Sequence, residues 1–122
     1  MKNVAGYLRD LLEQIGDIEA FTTAGRDAFF KDRKTQKAVI RSYEIIGEIV
    51  KRLPSDLLTP YLDVEWQRIK AFRDFLIHNY DRVAPALVWE AVEKLPILKS
   101  AVADLLAQHT PDHSEHSETA DE

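Results

Sequence analysis

The chain has 122 residues, 45% of them hydrophobic and 30% charged, with a net charge of −5 at neutral pH. That composition fits one globular domain, and the absence of cysteine excludes a disulfide framework, a thiolate zinc site and a cysteine nucleophile. No apolar run approaches the ~20 residues that cross a bilayer. Arg9, Asp10 and Glu13 interrupt the apolar N-terminal residues, so the expectation is a cytoplasmic protein with no signal peptide and no membrane contact.

The apolar spacing is helical nearly throughout, with no alternation of period two. Residues 3–23 are predicted as a first helix, with Val4, Leu8, Leu11, Leu12, Ile15, Ile18 and Phe21 as its buried stripe and Gly25 beyond its end. Residues 26–32 read as a short helical turn carrying Phe29 and Phe30. A second helix over residues 33–53 turns Val39, Ile40, Tyr43, Ile46, Ile49, Val50 and Leu53 inward. Pro54 stops it, and Ser55 or Asp56 is placed to cap a short turn through Leu58. Pro60 precedes a third long helix, residues 62–79. Pro85 suits the first turn of a fourth, residues 85–108, which Pro96 should kink or split. The expected fold is all-α: an antiparallel four-helix bundle over residues 1–109, with an additional short helix and a kinked C-terminal helix.

Residues 110–122 are acidic and rich in His and Ser, too poor in apolar residues to fold, and are expected to be a disordered tail. Asp112, Glu115, Glu118, Asp121 and Glu122 lie there without a Lys or Arg. Taking those five from 21 acidic residues leaves 16, equal to the 16 Lys and Arg, so residues 1–110 are neutral. A polyanion would have to meet a local basic patch rather than a global field.

The stretch Arg73-Asp74-Phe75-Leu76-Ile77-His78-Asn79-Tyr80 places a fixed cation, a titratable imidazole and a phenol within eight residues. Projected at ~100° per residue, Leu62, Trp66, Ile69, Phe72, Leu76, Ile77 and Tyr80 fall in an arc of roughly 140°, and Arg73 lands inside it. A charge there is costly unless it is paired or at an interface. Two readings stay open for Arg73: a structural charge that snorkels or meets a carboxylate such as Glu44, and a guanidinium held in a cleft to clamp phosphate.

His78 is turned ~140° from Arg73 on an ideal helix. The two therefore meet only if the helix unwinds near Asn79 or a second copy of the chain completes the site. Asp74, four residues before His78, is in reach to orient the imidazole and favour its charged form, as does the helix C-terminus. A solvent-facing ion pair is the alternative. Tyr80, seven residues after Arg73, lies on nearly the same face and is otherwise a core tyrosine.

Lys31, Arg33, Lys34, Lys37 and Arg41 form a basic run that is either a solvated helix start or a guide for a nucleic-acid backbone. Glu44 and Glu48 share a helix face, but two carboxylates are not a metal site. His109, His113 and His116 have loose metal-like spacing in a low-complexity context. Trp66 and Trp89 sit at core spacing, and no Gly-rich phosphate loop is present.

The motif R-x4-H-x-Y resembles that of HEPN domains of the HepT type. So do Ser42-Tyr43-Glu44-Ile45-Ile46-Gly47-Glu48, Lys51-Arg52-Leu53-Pro54, Val88-Trp89-Glu90 and Leu95-Pro96, in that order. The resemblance covers about residues 33–105 and implies a four-helix HEPN bundle. It implies a metal-independent endoribonuclease that uses the RNA 2′-hydroxyl as nucleophile and takes no cofactor. Arg73 and His78 would be catalytic, with Asp74, Asn79 and Glu44 as supporting residues. The implied setting is the toxin of a type VII-like toxin–antitoxin pair, a homodimer cutting tRNA or mRNA. Its antitoxin would be a minimal nucleotidyltransferase that transfers AMP to Tyr80. The alternative within the resemblance is a non-catalytic helical partner that holds substrate for a nucleotidyltransferase.

Overall fold

The computed structural model describes residues 2–109. Seven helices follow one another there: α1 (Val4–Phe21), α2 (Arg26–Lys31), α3 (Arg33–Arg52), α4 (Ser55–Leu58), α5 (Trp66–His78), α6 (Pro85–Glu93) and α7 (Leu95–His109), with no strand among the described residues. The all-α bundle is as the periodicity requires. The tail expected over residues 110–122 lies outside the described residues.

Asn3 starts α1 by accepting the Gly6 N–H at 2.8 Å, which satisfies one of the first-turn donors that have no partner inside a helix. Leu8, Leu11, Ile15 and Ile18 are fully buried. Phe21, expected in the same stripe, is exposed where the helix ends. Gly25 has φ 94° and turns the chain into α2, a conformation other residues adopt only with strain. Asp32 then caps α3, accepting from the Lys34 and Thr35 N–H groups and from the Thr35 hydroxyl at 2.7 Å. The hydroxyl bond, foremost, holds the Asp32 carboxyl below the usual carboxylate range.

Helix α3 is the centre of the bundle. Val39, Tyr43, Ile46, Ile49 and Val50 are buried on it, and it packs against α1 on one side and α5 on the other, with α7 beyond α1. The ion pair of Lys99 with Glu19 at 3.1 Å brings the start of α7 to the end of α1. The Tyr7 side chain lies close to that of Arg52, which brings the start of α1 to the end of α3. These helices therefore run antiparallel. Both tryptophans pack as expected. Trp66 is buried, and Trp89 packs tilted against Phe29 with centroids 5.3 Å apart, pinning α2 to α6.

Two expectations about helix starts are corrected. Neither Ser55 nor Asp56 caps α4, which begins after Pro54 without a side-chain capping bond. Helix α5 begins at Trp66 rather than residue 62, because Tyr61 N–H bonds to the Leu58 carbonyl and Val64 N–H to the Tyr61 carbonyl, closing turns instead of a helix. Leu62 is accordingly 88% exposed, and Ile77 and Tyr80 also leave the core. Residues 85–108, expected as one kinked helix or two pieces, are two: Lys94 ends α6, and Pro96, with no N–H to offer, is the second residue of α7. No helix among the described residues is long and apolar enough to cross a membrane.

Leu76 and Leu62 separate the observed stripe from the projected one. Leu76→Ala, at a fully buried position, should cost about 2–5 kcal/mol of unfolding free energy. Leu62→Ala should lie within about 0.5 kcal/mol of wild type. Urea titration of both variants measures the difference.

Candidate active site

Arg73 leaves α5 toward α3, where Gly47 makes room for it. A Cβ added at Gly47 would overlap the Arg73 Cβ and stand 3.0 Å from its Cγ and 3.3 Å from its Cδ. The arginine stem therefore lies across the bare backbone of α3, and its side chain is 23% exposed. The guanidinium Nη2 forms an ion pair with Glu48 Oε1 at 2.8 Å, and Nη1 donates to Asp74 Oδ1 at 2.9 Å. Nε is buried without a hydrogen-bond partner. Glu48 is held in turn from the next turn of its own helix, where Arg52 Nε and Nη2 donate to Oε2 at 3.1 and 2.9 Å. The Tyr7 side chain makes a further contact to Arg52.

Two of the expected supporting contacts are made differently. Glu44 does not meet Arg73; it pairs with Arg41 at 3.2 Å, and the carboxylate opposite Arg73 is Glu48, one turn further on. Asp74 was expected to orient His78 through its carboxylate, but that carboxylate bonds to Arg73. It is the Asp74 backbone carbonyl that meets His78 Nδ1, at 2.7 Å. A carbonyl oxygen only accepts, so Nδ1 carries the hydrogen, and in the neutral ring Nε2 holds the lone pair that can take a proton.

Asn79 ends α5 with φ −129° and ψ 28°. Its N–H and its side-chain Nδ2 both donate to the Phe75 carbonyl, at 3.0 and 2.9 Å. The residue thus fixes the helix end that carries His78. His78 is exposed, and Tyr80, just beyond, is 75% exposed. The core-tyrosine alternative for Tyr80 falls. One end of α5 therefore carries an anchored guanidinium, an accessible imidazole and an accessible phenol. The chain does not bring Arg73 into contact with His78.

The basic residues Lys31, Arg33, Lys34, Lys37 and Arg41 are all exposed. His109 ends α7 with its Nδ1 on the Leu105 carbonyl at 2.9 Å, while His113 and His116 lie outside the described residues. No group of His, Asp and Glu suited to a metal ion occurs among the described residues. An apolar groove of about 260 Å³ between α5, α6 and α7, lined by Ile69, Phe72, Leu87 and Leu95 among others, contains none of Arg73, His78 and Tyr80. Tyr43 at its base has a buried hydroxyl without a partner, and burial pushes that phenol's pKa well up.

Sequence reasoning passed over Glu48 as the partner of Arg73. The signal was its neighbour: a glycine inside a long helix, costing about 1 kcal/mol against alanine, usually has a packing or functional reason.

An all-helical bundle with Arg73, His78 and Tyr80 at one helix end is the architecture of a HEPN domain. The ribonuclease HepT-like family model matches residues 11–105, and the chain belongs to that family. It is 46% identical over 97 residues to a Methanocaldococcus jannaschii protein bearing an RNase name, covering 78% of this chain and 80% of that one. Over 95 residues it is 42% identical to a Thermococcus cleftensis protein named for ribonuclease HepT, covering 76% and 86%. Over 108 residues it is 36% identical to a Caldanaerobacter subterraneus protein with an RNase name, covering 87% and 96%. No solved structure matches.

The Gly47 contact can be weighed against a glycine that touches nothing. Gly47→Ala should destabilise by about 1–3 kcal/mol, because its methyl overpacks the Arg73 stem. Gly16→Ala, with open space around the added carbon, should stabilise by up to about 1 kcal/mol through helix propensity. Equal effects in denaturant titration would remove the close approach.

Proposed function

We propose that this protein is a metal-independent endoribonuclease, the toxin of a type VII-like toxin–antitoxin pair. The observation that carries the reading is the pairing, at one end of α5, of a half-buried, carboxylate-held Arg73 with an exposed His78 whose Nδ1 is fixed by a carbonyl. Family membership and the RNase names of its relatives support it.

The RNA supplies its own nucleophile. His78 Nε2 takes the proton from a ribose 2′-hydroxyl, whose oxygen attacks the adjacent phosphorus while the bond from phosphorus to the 5′-oxygen breaks. The departing 5′-oxygen is protonated, leaving a 2′,3′-cyclic phosphate and a 5′-hydroxyl. Arg73 stabilises the charge that builds on the phosphoryl oxygens, and imidazole is suited to proton transfer near neutral pH. DNA, without the 2′-hydroxyl, resists. The exposed basic run from Lys31 to Arg41 is available to steer the RNA backbone.

The catalytic unit is a homodimer. Arg73 and His78 diverge by ~140° on α5, so a site that uses both is composed across two copies. The antitoxin is a nucleotidyltransferase that attaches AMP to Tyr80. An exposed phenol just past the end of α5 is accessible to such an enzyme, and the added phosphate blocks RNA by bulk and like charge.

RNA cleavage should persist in EDTA, leave cyclic-phosphate ends, and disappear in His78→Ala and Arg73→Ala with the fold intact by circular dichroism. Co-expressing the two dead variants should restore about a quarter of wild-type activity, since random pairing leaves one composite site in half of the dimers. Activity that requires Mg²⁺, or that survives in His78→Ala, removes the mechanism; cleavage without complementation removes the shared site.

For regulation the readout is mass spectrometry after co-expression with the neighbouring nucleotidyltransferase. AMP should appear on Tyr80, and Tyr80→Phe should escape both modification and neutralisation. An unmodified Tyr80 in neutralised cells refutes this part.

A further inference from the structure

The Arg73 clamp has a part that lies outside the motif. Glu48 uses its two oxygens in opposite directions: Oε1 pairs with Arg73 Nη2 across 2.8 Å, while Oε2 accepts Arg52 Nε at 3.1 Å and Nη2 at 2.9 Å. The carboxylate is thereby fixed from α3 before it meets α5. On the other side, the arginine stem rests on Gly47, which leaves it little freedom at Cγ and Cδ. The Asp74 contact is of another kind, since that side chain is 56% exposed. An exposed carboxylate beside its own partner holds a guanidinium only weakly.

A guanidinium useful in a transition state must be oriented before the charge develops, since reorientation during the reaction adds to the barrier. An arginine side chain has several rotatable bonds, and those fixed in the free protein are not fixed again at the expense of binding. Glu48 supplies that fixation here. It also places a negative charge close to where the RNA phosphate binds, which works against ground-state attraction. Binding and catalysis are therefore opposed at this one residue.

We propose that Glu48, anchored by Arg52 and given access by Gly47, is a positioning residue that holds Arg73 oriented for the scissile phosphate. This rests on the ribonuclease reading above. Glu48→Gln keeps the shape and removes the charge. Its kcat on a short RNA should fall about ten- to hundredfold, the range expected for a misoriented group, while KM stays equal or falls and the melting temperature changes little. Glu48→Asp, which keeps the charge on a shorter stem, should recover part of kcat. A wild-type kcat in Glu48→Gln overturns the proposal, and so does a loss expressed only as a raised KM.

The guanidinium NMR signals of Arg73, assigned by their loss in Arg73→Lys, give a readout that needs no turnover. Separate Nη signals in wild type that merge in Glu48→Gln support the positioning role. Signals unchanged by the substitution overturn it. If wild type cleaves no RNA at all, the ribonuclease reading fails, and these spectra still decide whether Glu48 fixes Arg73.

Discussion

The contact between Gly47 and Arg73 is the constraint on which the rest depends. It sets how closely α5 approaches α3, and so where the end of α5 is presented. A larger residue at position 47 would lift the arginine stem from the α3 backbone and draw Arg73 away from Glu48. The pair that forms there is an uneven source of stability. Its desolvation offsets much of its attraction, and one buried guanidinium donor, Nε, is left without a partner. An apolar side chain could fill the same space with no orphaned donor. What an apolar side chain could not do is hold a cation at a fixed place near the surface. The arrangement is better explained by the use of the guanidinium than by the stability of the bundle.

The bundle turns this local contact into a site. Helix α3 is braced by α1 on one side, so α5 packs on a fixed support. Asn79 closes α5 with two bonds to the Phe75 carbonyl, and the Asp74 carbonyl captures His78 Nδ1 within the same last turn. The carbonyls left free at a helix end by the α-helical pattern here set both the helix stop and the tautomer of the imidazole. Chemistry carried at the end of a packed helix is placed more accurately than chemistry on a loop, while the side chains remain open to a macromolecular substrate.

Most of the fold was legible because helix periodicity and proline placement are local properties. Helices α1 and α3 follow from apolar spacing, and the division between α6 and α7 from Pro96. The failures occur where the answer depends on another element. Leu62 fits the apolar stripe of α5 on a helical wheel, yet the chain there is closed into turns by bonds to Leu58 and Tyr61. Glu44 and Glu48 share one face of α3, and choosing between them needs the register of α5 against α3, which a projection of either helix cannot supply. Asp74 was correctly placed one turn before His78, but the choice between its carboxylate and its carbonyl depended on Arg73 competing for the carboxylate. Tyr80 lies in the apolar arc only if α5 continues to it, and the helix stops at His78.

The two carboxylates on Arg73 also bear on how a neutral protein could engage a polyanion. With Glu48 and Asp74 on Arg73 and Arg52 on Glu48, two carboxylates balance two guanidiniums, and a phosphate approaching Arg73 meets no net attraction. The two contacts are not equally firm. The Asp74 side chain is the more exposed, and a surface pair of that kind contributes about 0–1 kcal/mol. Glu48 is less exposed and is tied to Arg52 as well. On the proposed chemistry, an RNA phosphate therefore replaces Asp74 at Nη1 and leaves Glu48 at Nη2. Nη1 is then free to donate to phosphate while Nη2 stays held. On that proposal, Asp74 stands in the free protein where the phosphate would bind, and Glu48 holds the arginine oriented for it.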